Sequence, residues 1–194
     1  RDPKYYSAEL SMQDLVLGGV PAKDLIDDFG FKLSDLEAYF PVSPYKVEKT
    51  GTEVHYLGYY IKWHPQDVYY YSVENSNFMP NDHRTEGSFS KYSSLDDKID
   101  WLHYHTTTIK FGIGRATYDS AQEVRNGDIT REEGIALIKR FDGEFPEKYI
   151  LDCCNYMDIT MQQYYDTIEK FRSPHLWNKI NGNWVLRKPI WSSK

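Results

Sequence analysis

From residue 97 to residue 172 the apolar positions return every three or four residues, the spacing of helices with one buried face. Ile99, Leu102 and His103 predict a helix over 97–110. A second is predicted over 115–126, closed by Asn126-Gly127. Thr-Arg-Glu-Glu at 130–133 reads as a capping box, with Thr130 as N-cap and Glu133 reaching back. It starts a helix that turns Ile135, Ile138 and Phe141 to one side. Pro146 opens the next helix, whose inward stripe is Tyr149, Ile150 and Cys153. Thr-Met-Gln-Gln at 160–163 is a second capping box, with Ile159 and Tyr164 at the positions of a hydrophobic staple and Tyr164, Ile168 and Phe171 as its stripe. Residues 128–172 are therefore expected to pack as three short helices. "LWNKINGNWVLRKPIW", at 176–191, is expected to form a hairpin turned at Asn181-Gly182.

The first third is more broken. "SMQDLVLGG" reads as a short helix stopped by Gly18-Gly19. "PAKDLIDDFG" reads as a helix with Pro21 in its first turn and Gly30 at its end. "KLSDLEAYF" turns Leu33, Leu36 and Tyr39 or Phe40 to one side before Pro41, and residues 41–52 read as a polar connector. "EVHYLGYYI", at 53–61, is nearly continuous in apolar and aromatic residues and predicts a strand covered on both faces, as in α/β proteins. Ligands of open α/β sheets lie beyond the carboxyl ends of strands, which makes Lys62, Trp63 and His64 site candidates. "DVYYYSVENSNF", at 67–78, fits helix or strand, and Pro65 and Asp67 suit the first turn of a helix. Residues 79–98 then form a long polar stretch, and a stretch of this kind is either functional or solvated and mobile.

Composition narrows the function classes. The 194-residue chain is 40% hydrophobic and 27% charged, which is ordinary for a globular protein. Its net charge of -6 removes the electrostatic footprint of a nucleic-acid binder. No run approaches the ~20 apolar residues of a membrane span. The first residues lack the apolar segment of a signal peptide, and the missing initial Met points to part of a longer chain. With 17 Tyr and 5 Trp, the aromatics can build a core or line a site that stacks on sugars or bases. Cys153 and Cys154 are adjacent, a poor geometry for a mutual disulfide. They read as small apolar helix residues in a reducing, cytoplasmic compartment.

Candidate chemistry centres on "KFGIGRATYD", at 110–119. Lys110 and Arg115 flank Gly112-Ile113-Gly114 just before a predicted helix. Two glycines and a helix N-terminus between cations suit a bound anion, though locally a tight turn between two helices is the commoner use of such a pair. Asp119, four residues after Arg115, is either its surface ion-pair partner or the carboxylate that holds it for a phosphate. Asp96-Asp97 could hold Mg²⁺ but reads first as a helix-dipole pair. His103 and His105 do not share a helical face, and no metal site is expected. GxSxG, HExxH and Walker A signatures do not occur in the chain.

Several long segments, in order, carry a resemblance: "GFKLSDLEAYFPV", "LGYYIKWHPQDVYYYSVEN", "RTEGSFSKYSSLDDKID", "IKFGIGRATYDSAQEVRNGDITREEGIALIKRFDGEFP" and "KFRSPHLW". Together they resemble the C-terminal half of the N-acetyl sugar amidotransferase family of lipopolysaccharide O-antigen biosynthesis, over residues 15–190. The resemblance implies an ATP-pyrophosphatase-like enzyme that converts a sugar acetamido group to an acetamidino group. Its cofactors would be ATP and Mg²⁺, its acceptor a nucleotide-linked acetamido sugar, and its ammonia source a glutaminase subunit, with homo-oligomerisation possible. The family's Ser-Gly-Gly-x-Asp-Ser phosphate loop is not in this chain, so alone it is expected to be inactive. The implied fold is α/β over 1–80, the rear part of the nucleotide domain, followed by a mainly α-helical region over 81–194. Lys110, Gly112, Gly114 and Arg115, supported by Asp119, would bind phosphate. Arg84, Glu86, Ser88 and Lys91 would form the acceptor side, on a loop over 81–94 that closes on its ligand. The alternative reading is a non-catalytic module for dimerisation or glutaminase docking.

Overall fold

The computed structural model describes residues 15–192, and the chain divides into two compact units, 1–63 and 64–194. In the first unit Gly18 and Gly19, both at positive φ, turn a two-residue hairpin of β1 (Val16–Leu17) and β2 (Val20–Pro21), with Leu17 opposite Val20. The helix expected from "SMQDLVLGG" is thus a hairpin over its described residues, because a glycine pair that accepts positive φ suits a tight turn between extended segments. Residues 11–14 of that segment lie outside the described residues.

Helix α1 (Ala22–Asp27) follows, then α2 (Leu33–Leu36), continued by a 3₁₀ turn over Glu37–Tyr39. The polar connector contains α3 (Pro44–Thr50). Ser43 caps it by accepting from the Lys46 N–H, Pro44 sits in its first turn, and Gly51 ends it in the left-handed conformation.

The α/β expectation for this part is corrected. Residues 53–61 are not a strand: Leu57–Tyr60 form a single helical turn, α4, and every residue from 51 to 63 is exposed. Among the described residues the only sheet before residue 64 is the two-stranded β1–β2 hairpin, with a single bridge residue at His55, so the described residues build no parallel nucleotide-binding sheet here.

The second unit begins with α5 (Pro65–Asn75), capped by His64 accepting from the Asp67 N–H at 3.3 Å. After an irregular segment come α6 (Ile99–Phe111), α7 (Arg115–Asn126), α8 (Arg131–Phe141), α9 (Ile150–Tyr156) and α10 (Met161–Lys170). Both capping boxes form as expected, on Thr130/Glu133 and Thr160/Gln163. The closing hairpin pairs β3 (Trp177–Ile180) with β4 (Asn183–Leu186). Asn181 and Gly182 are both at positive φ, as a two-residue hairpin turn requires.

The core lies between α6, α9 and α10. It is built of Leu102, Ile109, Ile150, Cys153, Cys154, Tyr164 and Ile168, with Phe145, Tyr149, Ile159 and Met161 packed against it. Both cysteines are buried and free. Phe171, expected in the α10 stripe, is exposed, while Trp101, Tyr104, His105 and Thr108 of α6 are buried. No helix of the described residues is long and apolar enough to cross a membrane.

Candidate functional site

The glycine turn between α6 and α7 shows why its residues are there. Gly112 ends α6 at φ 72°, and a Cβ on it would lie 2.9 Å from Leu186 Cδ2. Gly114 has an extended backbone that any residue could adopt, but its Cβ position is filled. Thr108 Oγ1 lies 2.3 Å from it and Asp142 Oδ1 2.7 Å. That carboxylate is the anion at the α7 N-terminus: Asp142 accepts from the N–H of Gly114 at 2.9 Å, from the N–H of Thr117 at 3.1 Å and from Thr117 Oγ1. The unpaired amides and partial positive charge of the helix start are thereby satisfied from within the chain. The turn was read as suiting a bound phosphate or a tight connection between helices; in the structure a carboxylate from 28 residues downstream occupies its amides.

A polar web spreads from this turn through residues 81–98. Arg84 forms a two-pronged ion pair with Glu144, donates to the Ser88 carbonyl at 3.1 Å, and lies 4.5 Å from the Phe141 ring centroid. Glu144 also accepts from the Gly87 N–H at 2.9 Å. Ser88 Oγ donates to Asp119 at 2.6 Å. Asp119 holds Arg115 Nε at 2.8 Å, and the other Arg115 nitrogens donate to Tyr104 Oη and Ser93 Oγ, both at 3.2 Å. Thr85 Oγ1 donates to the Ser93 carbonyl at 2.7 Å. The segment has almost no regular structure, yet Thr85 and Ser88 are 0% exposed, and Ser90 and Ser93 are buried with them. Buried polar groups are tolerated when each finds a partner, and here the partners are one another.

The electrostatics follow from this pairing. Burial pushes the Glu144 carboxyl up, but the Arg84 hydrogen bond, the Gly87 N–H and the Arg84 charge together hold it below its ordinary value. Burial raises Glu86, which accepts from the Lys148 N–H at 3.2 Å. Burial, followed by the charges of Glu123 and Asp119, pushes Tyr92 up to about 12. Burial also raises Glu123, helped by a hydrogen bond with Asp128, while Asp128 pairs with His64 Nε2 at 3.1 Å. The ligand oxygens of Asp96, Asp97 and Asp100 lie within 4.8 Å of one another, a spacing open to a hard divalent cation. Asp97 also accepts from the Asp100 N–H and Asp100 from Ser94 Oγ, so local capping accounts for both without an ion.

Beside the glycine turn lies a cavity of about 630 Å³, lined by Thr108, Gly112, Thr117 and Asp142 on the turn side and by the closing hairpin opposite.

Residues 86–190, more than half of the chain, match the family described as LPS biosynthesis protein WbpG-like, C-terminal domain. The chain belongs to this family. Its role therefore lies in LPS biosynthesis, and the matched span contains the glycine turn, most of the polar web and every residue of the cavity lining but Trp191. No curated protein matches the chain.

The residues expected to form a site, most of them inside the WbpG-like span, divide into three sets. Arg84, Glu86, Ser88, Arg115 and Asp119 come together in or beside the web. Arg84, Ser88, Arg115 and Asp119 bond mainly to one another and to Glu144. Lys91 is exposed at its rim, where its carbonyl accepts from the Asn81 N–H. Lys110 does not join Arg115: it lies at the end of α6 beside Phe111 and lines a different, apolar cavity of about 490 Å³. The third set loses its rationale with the missing strand. Lys62 and Trp63 are exposed, and His64 is a helix cap paired to Asp128. Sequence reasoning missed Asp142, Glu144, His105 and Arg172. Asp142 and Glu144 follow the α8 helix in "RFDGEFP", and nothing local marks their reach back to Gly114 and Arg84.

Proposed function

We propose that this chain is the C-terminal portion of an ATP-dependent amidotransferase of LPS biosynthesis. The reaction exchanges the acetamido oxygen of a nucleotide-linked sugar for nitrogen. ATP adenylylates the carbonyl oxygen and releases pyrophosphate; ammonia adds to the carbon; the oxygen departs with AMP, leaving the acetamidino group. The observation that carries this reading is membership of the LPS biosynthesis family over residues 86–190. The family resemblance in the ordered segments supports the finer chemistry.

ATP and Mg²⁺ would supply the activation. The described residues include no phosphate loop for the nucleotide, so the residues here are assigned to the acceptor. The web acts as a rigid platform. Arg84, Ser88, Arg115 and Asp119 hold the 81–98 segment in place, while Glu86 and Lys91 at its rim offer a carboxyl and a cation to the sugar and its diphosphate. Preorganised groups of this kind lower the entropy lost on binding.

The test is mass spectrometry of a nucleotide-linked acetamido sugar incubated with ATP, Mg²⁺ and ammonia. This chain alone should form no AMP. The complete gene product should form AMP, pyrophosphate and a product in which O is replaced by NH, and Lys91→Ala should raise the KM for the sugar while leaving that for ATP unchanged. AMP release without change in the sugar would refute the reading.

A further inference from the structure

The cavity beside the glycine turn carries chemistry that the polar web does not use. Three of the five tryptophans line it: Trp177, Trp184 and Trp191. Two are locked by their indole N–H groups. Trp177 Nε1 donates to the Ile109 carbonyl at 2.8 Å, and Trp184 Nε1 to Glu169 at 2.8 Å. Arg172 lies over both rings, 4.9 Å from the Trp177 centroid and 5.5 Å from that of Trp184. Its side chain is only 14% exposed, and its Nε lies 3.5 Å from a Glu169 carboxylate oxygen without forming a hydrogen bond among the described residues. A largely desolvated guanidinium held by one long ion pair is a good site for an anion.

Lys139 adds a second cation at the rim, 5.3 Å from the Trp191 ring centroid. The one acid in the lining, Asp142, is already engaged by Gly114 and Thr117. The lining itself thus presents two cations, with Glu169 set behind Arg172 and Trp184 and its carboxylate turned to them. His105 is also in the lining and is 7% exposed. Its Nδ1 lies 3.2 Å from the Glu144 carbonyl, which makes that nitrogen the donor, and Nε2 is left without a partner. Burial lowers the His105 pKa, so the ring is neutral and Nε2 is an acceptor.

We infer that this cavity binds a phosphorylated sugar, with the phosphate on Arg172 and Lys139, the ring against Trp184 and Trp191, and a hydroxyl donating to His105 Nε2. The volume suits a ligand of that size, since small-molecule sites commonly span about 300–1,000 Å³. The inference does not depend on the amide-transfer reaction, because it rests on the cavity alone.

Its test needs neither ATP nor turnover. The chain is titrated with glucose 1-phosphate, glucose, inorganic phosphate and AMP, followed by tryptophan fluorescence and calorimetry. Glucose 1-phosphate should bind saturably and at least about tenfold more tightly than glucose or phosphate, each of which lacks half of the contacts. Arg172→Gln should weaken it about tenfold or more. Lys139→Ala, a change at an exposed position, should weaken it severalfold with an unchanged melting temperature. Phosphate binding as tightly as glucose 1-phosphate would reduce the cavity to an anion site and overturn the sugar assignment. AMP binding more tightly would overturn it in favour of a nucleotide. No saturable binding of glucose 1-phosphate below about 10 mM, or equal binding by Lys139→Ala, would overturn it outright. A failed titration leaves the amidotransferase assay untouched, and an inactive enzyme leaves the titration standing.

Discussion

Residues 53–61 and residues 81–94 reverse the usual relation between polarity and burial. The first stretch is nearly all apolar and aromatic, yet Leu57 is 68% exposed and Ile61 62%. The second is polar and irregular, yet it holds two residues with no exposed surface at all, Thr85 and Ser88. Apolar content made the first stretch look like a buried strand, but a strand is buried only where a sheet exists to receive it, and the one sheet of the described residues before His64 is a two-residue hairpin. The second stretch is held by directional bonds to Glu144, Asp119 and Arg115, side chains far away in sequence. Mutual satisfaction of donors and acceptors can bury a segment that hydrophobic pattern alone would leave in water.

Four predictions can break or sharpen this contrast. The largest effect is expected at the anchor of the web. Gly114→Ala places a methyl group against Thr108 Oγ1 and the Asp142 carboxylate, displacing the cap of α7. A loss of about 2–3 kcal/mol in urea unfolding is expected, and unchanged stability would mean that Asp142 does not occupy this turn.

Glu144→Gln should cost about 1–2 kcal/mol, a value discounted because the Arg84 pair is partly solvated. It should also change the response to acid. The Glu144 carboxyl titrates below its ordinary value of 4.5 in the folded chain. The unfolded chain therefore takes up this proton first, and the contribution of Glu144 is complete above that value and disappears as pH falls through the folded one. The variant should lose less stability than the parent as pH is lowered below about 4.5, measured by chemical denaturation at a series of pH values. Parallel acid profiles would exclude the pair as a stabilising contact.

Thr85→Val keeps the shape of a fully buried side chain and removes the donor to the Ser93 carbonyl. A loss of about 1 kcal/mol is expected, with faster hydrogen exchange across 85–93. If exchange does not change, the segment is held by packing rather than by its bonds. The smallest effect belongs to the apolar stretch: Leu57→Ser should move stability by no more than about 0.5 kcal/mol, the usual range for a surface change. A loss comparable to that of Thr85→Val would show that residues 53–61 are buried in solution.

Much of the second unit was legible because its signals are local. The capping boxes at Thr130 and Thr160 and the Asn181-Gly182 turn act within a few residues and formed as read, while the stripes formed in part: Leu102, Ile138, Tyr164 and Ile168 are buried, but Ile99 and Phe171 are exposed. The candidate site was legible in part. Arg84, Ser88, Arg115 and Asp119 do assemble, but their partner Glu144 is 60 residues from Arg84, and no spacing rule reaches that far. Lys110 and Arg115, near neighbours in sequence, serve different surroundings because α6 ends and α7 begins between them.

By itself, the amino-acid sequence determined where most helices of residues 64–192 start and stop, the closing hairpin, and the family to which the chain belongs. These depend on backbone conformational preference, on short-range hydrogen bonds and on residue order. Tertiary structure alone decided that the anion at the glycine turn is Asp142, that a polar loop is interior while an aromatic run is exposed, and that Arg172 lies over two tryptophan rings beside an unsatisfied histidine. Each is a contact between residues distant along the chain, and burial and charge pairing are settled only when such residues meet.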